Sequence, residues 1–285
     1  MSRNADDFLG RHPDLLEADW RRPGVARFVA ALMAPFALYF RFRGGGLEHV
    51  PASGCLVVAN HNNGALWEIL LLHRWWHRSM PGRSMRGLQH RIAFELPLKL
   101  LPVGQWIGGA LAHPEVARRI LEKGDALLVF PGGDYDSCRP FRDRYKVVFG
   151  GRVGFVRTAR AAGVPIVPLA LTGAHVCYLT PFDTRRLAKL LRLEKRGLKA
   201  FPLSLGMLLF FAAAIAALVE HALWPLALGA FVQMCLPLPT RIEAEVLEPI
   251  VPGAEETDEQ VAERVRLALE AAMGRAAARR ITPWG

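Results

Sequence analysis

The run Cys55-Leu56-Val57-Val58-Ala59-Asn60-His61 is continuously apolar for five residues and then stops at two polar ones. A short uninterrupted apolar run reads as a strand buried on both faces, the habit of strands in parallel or mixed sheets rather than of half-wetted hairpins. Two further runs have the same character, Asp125-Ala126-Leu127-Leu128-Val129-Phe130 and Pro165-Ile166-Val167-Pro168-Leu169-Ala170-Leu171. Between the first two, residues 65–77 and 114–124 carry helical periodicity, the second ending on Gly124 as a C-terminal cap. The prolines around the third run suggest an unpaired or bulged strand start. A closing strand is expected over residues 241–250, followed by a helix from Asp258 to Ala278. Asp258 can cap that helix, which puts Val261, Val265, Leu269 and Met273 on one face. The fold class is therefore α/β, with a mixed central sheet flanked by helices.

The 285 residues suffice for one large domain with insertions. We divide the chain into a basic, membrane-proximal segment, residues 1–46, and a domain covering residues 47–285. Residues 28–40 run without a charge between flanking arginines, too short to cross a hydrocarbon core that needs about 20 helical residues, so an interfacial or core helix is expected. Residues 201–219 and 222–240 are also uncharged, separated by Glu220 and His221. Each half would extend about 28 Å as a helix, so residues 201–240 are expected to form an inserted hydrophobic hairpin that enters or crosses a bilayer; the alternative is a pair of core helices. Lys195, Arg196, Lys199 and Arg241 flank it, and the positive-inside tendency puts both ends on the cytoplasmic face.

The formal charge of +10 and an apolar fraction of 52% suit a protein resting on anionic lipid. Nucleic acid is the rival partner, but the basic residues form no run interleaved with stacking aromatics. The four cysteines show no ligand-like spacing, so neither a zinc site nor a disulfide framework is indicated. Residues 1–20 hold five acids and no apolar signal core, so no secretory signal is expected.

Three motifs carry candidate chemistry. His61 stands at the carboxyl end of a buried strand, where open α/β sheets put their sites, and Glu68 sits early on the next helix. A carboxylate bonded to one ring nitrogen would fix the tautomer and leave the other nitrogen to take a proton from a hydroxyl. Read alone, His61 is a structural histidine and Glu68 a solvated helix residue. The second motif, Phe130-Pro131-Gly132-Gly133-Asp134-Tyr135-Asp136-Ser137, follows a strand; its paired glycines expose backbone N–H groups that could approach a phosphate, a headgroup or an oxyanion, or it is a plain tight turn. The third is Gly163-Val164-Pro165-Ile166-Val167-Pro168.

In this order and spacing the motifs resemble the glycerolipid acyltransferase superfamily that includes the 1-acylglycerol-3-phosphate acyltransferases, and especially the branch similar to monoacylglycerol and diacylglycerol acyltransferases. The resemblance covers roughly residues 47–173, and residues 236–250 weakly. It implies transfer of a fatty acyl group from acyl-CoA or acyl-carrier protein to a glycerolipid hydroxyl, with no cofactor and no metal. His61 is then the general base and Glu68 its orienting acid, with Asn60, Phe130, Pro131, Gly132, Gly133 and Arg139 against the substrates. The partners are a lipid acceptor, a thioester donor and the bilayer, with the catalytic domain on the cytoplasmic face. Two departures stand out. The family places an aspartate five residues after its histidine, where this chain has Leu66, so Glu68 can serve only if the turn after His61 is lengthened. Phosphate-accepting members show Phe-Pro-Glu-Gly with an arginine close behind; here Arg139, Arg142 and Arg144 would have to supply that charge. A neutral acceptor such as a mono- or diacylglycerol or a long-chain alcohol is the alternative within enzymes, and a catalytically silent lipid-binding or scaffold relative is the alternative outside them. No Gly-x-Ser-x-Gly elbow points to a hydrolase.

Overall fold

The buried runs pair into one sheet. The computed structural model describes residues 3–17, 19–62, 65–90, 94, 102–192, 199–200, 203–219, 224–225, 228 and 237–285. Its helices are α1 (Arg3–Arg11), α2 (Asp14–Glu17), α3 (Pro23–Leu32), α4 (Ala34–Tyr39), α5 (Ala65–Ser79), α6 (Val103–Trp106), α7 (Pro114–Glu122), α8 (Asp134–Ser137), α9 (Gly154–Ala162), α10 (Arg185–Leu190), α11 (Leu205–Val219) and α12 (Asp258–Ala278). Its strands are β1 (Arg43–Gly45), β2 (Cys55–Ala59), β3 (Met85–Gln89), β4 (Gly109–Leu111), β5 (Ala126–Val129), β6 (Ile166–Thr172) and β7 (Glu243–Val246).

The seven strands lie in the order β1-β7-β6-β2-β5-β3-β4. Every neighbouring pair is parallel except β6 with β7. Side chains alternate across the sheet, as period 2 requires. Leu56, Val58, Leu127, Val129, Ile166 and Ala170 face a layer built from α7, α9 and α12, with Phe8 and Leu9 of α1 joining it. Val57, Ala59, Leu128, Val167, Leu169 and Leu171 face the opposite way, toward Leu72 and Trp76 of α5. A third cluster joins Val29 of α3 to Phe40, Leu71 and Ile242. Burial on both faces is what made the apolar runs legible as strands.

Several expectations are refined. The sheet begins at β1, whose Arg43 pairs with Glu243 of β7, so residues ahead of 47 also take part in it. Thr257, not Asp258, caps α12: its side chain accepts from the Gln260 amide at 3.2 Å, and Gln260 Oε1 accepts from the Thr257 amide at 2.8 Å. Gly124, at φ +81°, lies one residue past the C-cap of α7. The proline-bracketed strand β6 pairs with β2 from its first residue, while against the antiparallel side its register shifts by one between Leu169↔Val246 and the bridge Ile166↔Ile250, the bulged start that the prolines suggest. The Pro168 carbonyl accepts from Leu247, just beyond the end of β7, so its missing N–H falls on the side where that ladder stops. The inserted hydrophobic hairpin is not shown. Within residues 201–240 the structure holds α11, fifteen residues or about 22 Å of helix, and most of residues 220–236 lie outside the described residues. Among the described residues no helix is long and apolar enough to cross a membrane.

Candidate active site

β2 lies between β5 and β6, and the chain passes from β5 on one side of it to β6 on the other. That reversal opens a crevice at the carboxyl ends of the strands, the usual place for a ligand in an open α/β sheet. The loops after β2 and β5 both enter it. The first brings Asn60, His61 and Asn62; the second brings Phe130 to Arg139.

His61 is 17% exposed at its side chain, and its Nδ1 lies 2.6 Å from Oε1 of Glu68, whose side chain is fully buried. Glu68 occupies the first turn of α5 and points inward. Its carboxylate is further held by Asn62, which donates from its backbone amide to Oε1 at 3.1 Å and from Nδ2 to Oε2 at 2.9 Å. A carboxylate accepting from Nδ1–H fixes the tautomer with Nε2 unprotonated and able to accept a proton. The Phe130 ring stacks on the imidazole with centroids 4.5 Å apart, which limits the ring's rotation.

Behind this pair stands a buried ion pair that the sequence did not disclose. Asp136 accepts the His61 amide on Oδ2 at 2.5 Å and the Val148 amide on Oδ1 at 2.9 Å. Arg139 Nη1 donates to Asp136 Oδ1 at 2.9 Å, to the Asp136 carbonyl, and to the His61 carbonyl at 2.7 Å. Its Nη2 donates to Asn62 Oδ1 at 3.0 Å, which aims the Asn62 amide group at Glu68. Burial raises the Asp136 pKa, against the opposing pull of Arg139 and the two amides.

The residues expected against substrate divide in two. Phe130 lies on the histidine ring. Gly132 packs so tightly that a Cβ there would sit 2.3 Å from Asp136 Cβ and 2.5 Å from the Val148 carbonyl. The Gly133 amide, expected to face a ligand, donates within the turn to Phe130 at 3.1 Å. The Pro131 and Gly132 carbonyls each accept from Arg152 at 2.9 Å. Asn60 is buried and exchanges two bonds with the Leu171 backbone, at 2.7 and 2.9 Å, so it extends the pairing of β2 with β6 rather than meeting an acceptor. Arg139 is likewise a strut and not a surface cation: its Nε and Nη2 also donate to the Asp143 and Arg144 carbonyls, each at 3.1 Å. Among the described residues no group of three or more His, Cys, Asp or Glu is gathered as a metal would require. Cys55, Cys138 and Cys177 are buried free thiols, and Cys235 lies outside the described residues. Asn62 and Asp136, both buried against His61 and Glu68, carry no signal of that burial in the sequence, where one is a turn asparagine and the other an acid after a strand.

No family model matches the chain. An uncharacterized protein of Mycobacterium tuberculosis is 33% identical over 184 residues, covering 62% of this chain and 50% of that protein. One of Mycobacterium leprae is 33% identical over 187 residues, 62% of this chain and 48% of its own. The chain thus spans about half the length of these relatives. The chloroplastic phytyl ester synthase 1 of Arabidopsis thaliana is 30% identical over 93 residues, 31% of this chain and 13% of that enzyme. Among solved structures, the 1-acyl-sn-glycerophosphate acyltransferase PlsC of Thermotoga maritima superposes with a TM-score of 0.52 at 16% identity, covering 89% of this chain and 81% of that one. The resemblance carried by the His61, Phe130–Gly133 and Val164–Pro168 motifs therefore holds at the level of the fold, which this chain shares with that 1-acyl-sn-glycerophosphate acyltransferase.

Proposed function

We propose that the chain is an O-acyltransferase that moves a fatty acyl group from an acyl-CoA or acyl-carrier-protein thioester to a hydroxyl of a glycerolipid, either lysophosphatidate or a mono- or diacylglycerol. One observation carries the reading: His61 Nδ1 at 2.6 Å from a fully buried Glu68, at the carboxyl end of β2. In this reading His61 Nε2 takes the acceptor's hydroxyl proton as the oxygen attacks the thioester carbonyl. Glu68 stabilises the imidazolium so formed, and the proton then leaves with the departing thiolate. The names of the two enzymes that the chain resembles, one an acyltransferase and the other an ester synthase, agree with ester formation.

The chain in this reading rests on the cytoplasmic leaflet. Exposed Phe28, Leu32 and Leu38 on α3 and α4, and Leu209, Phe211 and Ile215 on α11, supply apolar surface of the kind that docks to lipid. The Tyr39 hydroxyl donates to the Pro237 carbonyl at 2.7 Å, tying the N-terminal helices to the far end of the apolar insertion.

The test is lipid product analysis with purified protein and labelled acyl donors, comparing wild type with His61→Ala. A positioned general base contributes about 10²- to 10⁴-fold, so the variant should lose at least 99% of transfer while keeping its circular dichroism. Near-normal turnover by a folded variant removes His61 from the mechanism.

A further inference from the structure

Of the loop arginines expected to supply charge, Arg139 and Arg144 are engaged on protein groups and Arg142 stands 80% exposed. Arg139 is buried on protein acceptors, Arg142 lies 3.6 Å from Asp143, and Arg144 donates to the Phe141 carbonyl with its guanidinium over the Phe141 ring. Positive charge gathers instead beside α8. A groove of about 410 Å³ is lined by Tyr135, Val148, Arg185, Arg186, Lys189 and Lys199. A second hollow of about 210 Å³ shares Tyr135, Val148 and Arg185 with it and continues to Lys146.

Some of these cations are neutralised locally: Arg185 pairs with Asp183, and Lys146 with Asp143 at 2.7 Å. Among the described residues Arg186, Lys189 and Lys199 have no carboxylate partner at their side chains. The Tyr135 ring forms the floor, with the Arg152 guanidinium 5.2 Å and the Lys199 ammonium 5.3 Å from its centroid. Tyr135 is next in the chain to Asp136, which receives the His61 amide, so the groove adjoins the loop that positions the base. Unneutralised cations in a concavity raise the local potential and concentrate anions, and guanidinium and ammonium groups together suit phosphate oxygens.

We propose that this groove holds a phosphate group of one of the two substrates, with its oxygens on Arg186, Lys189 and Lys199. The inference rests on the acyltransferase reading for the identity of the ligand. The phosphate has two possible sources, the 3′-phosphate and diphosphate of coenzyme A or the headgroup of a lysophosphatidate.

The experiment titrates coenzyme A, a short-chain lysophosphatidate and vesicles of phosphatidylglycerol, each separately, into the full chain by calorimetry. It compares wild type with the charge-reversing pair Arg186→Glu and Lys189→Glu and with the neutral pair Arg186→Gln and Lys189→Gln. Both positions are exposed on α10, so the fold is expected to persist, and circular dichroism checks it. Reversing two contacts at about 4 Å across solvent should weaken the bound phosphate about tenfold or more, with a smaller loss in the neutral pair. Loss for coenzyme A identifies the donor as the source, and loss for lysophosphatidate identifies the acceptor. Unchanged binding of both coenzyme A and lysophosphatidate overturns the proposal. So does a wild type that binds neither of them, or a loss confined to vesicles of phosphatidylglycerol, which would make the groove a membrane contact. Because binding requires no turnover, a failure of His61 as the base would leave this result standing.

Discussion

Replacing Glu68 by Gln tests the site most directly, because it removes one charge and almost no volume. Each oxygen of Glu68 accepts a hydrogen bond: Oε1 from His61 Nδ1 at 2.6 Å and the Asn62 amide at 3.1 Å, and Oε2 from Asn62 Nδ2 at 2.9 Å. A glutamine cannot reproduce that set. With its carbonyl toward His61 it points its NH₂ at the Asn62 NH₂. Turned over, it points the NH₂ at the Asn62 amide and asks Nδ1 to accept, which moves the imidazole proton to Nε2 and blocks the base. Hydrogen bonds to charged groups contribute about 1.5–3 kcal/mol, equivalent to roughly 10- to 150-fold in rate at about 1.4 kcal/mol per tenfold. The tautomer change adds to this. We expect kcat to fall by about 10²-fold or more while KM for the acceptor changes by less than about threefold, since the loss falls on the imidazolium formed at the transition state. Steady-state kinetics with saturating donor, alongside circular dichroism, makes the measurement. A folded Glu68→Gln variant that keeps kcat within about threefold of wild type, or whose whole defect lies in KM, would refute the orienting role.

Three further outcomes follow from the structure. Gly132→Ala places a Cβ 2.3 Å from Asp136 Cβ and should displace the carboxylate that holds the His61 amide, lowering stability by about 1–3 kcal/mol and activity with it; Gly154→Ala, with open space around it, is the neutral control in the same thermal-melt and rate assays. His175 is buried, and burial first and Arg139 second push its pKa well below the ordinary imidazole value. Below about pH 6.5 the unfolded chain therefore takes up a proton that the folded one refuses, and stability drops by up to about 1.4 kcal/mol per pH unit until the folded pKa is reached. His175→Leu should remove that share of the slope, so the stability difference between variant and wild type should shift by about 1.4 kcal/mol toward the variant from pH 7.5 to 5.5; identical slopes in denaturant titrations would exclude the assignment. Finally, Leu38→Glu with Leu209→Glu should weaken flotation with phosphatidylglycerol vesicles by at least about tenfold, because each exposed leucine would otherwise bury about 1.5–3 kcal/mol of apolar surface; unchanged flotation would argue against these helices as the docking face.

The long strands and helices were legible because burial on both sides leaves an uninterrupted apolar run, as in β2, β5 and β6, and a one-sided stripe leaves a helical period, as in α12. The strands β1, β3 and β4 were not, because two of them are three residues long and Met85-Arg86-Gly87-Leu88-Gln89 mixes polar with apolar residues. Membership of the sheet comes to them from their neighbours. At the site, His61 and Glu68 could be singled out because a turn and the start of a helix relate them locally. Arg139 and Asn60 were expected to meet substrate, and both are turned inward by bonds to residues far away in the chain: Arg139 to His61 and Asn62, Asn60 to Leu171. Asp136 was hidden because its burial depends on the amides of His61 and Val148, contributed from other parts of the chain, as well as on Arg139 three residues on. The hairpin expected over residues 201–240 is described only through α11, because most of residues 220–236 lie outside the described residues.

The clamp of Asp136 and Arg139 has a mechanical consequence. The two side chains take hold of His61 at both its amide and its carbonyl, while Asp136 is also bonded to the Val148 amide. The loops after β2 and β5 are thereby riveted into a single part, and the histidine has no hinge of its own. Under the proposed function, any closing movement around an acyl chain falls to the surrounding helices moving against this fixed piece, and the alignment of His61 is independent of how the rim is shaped.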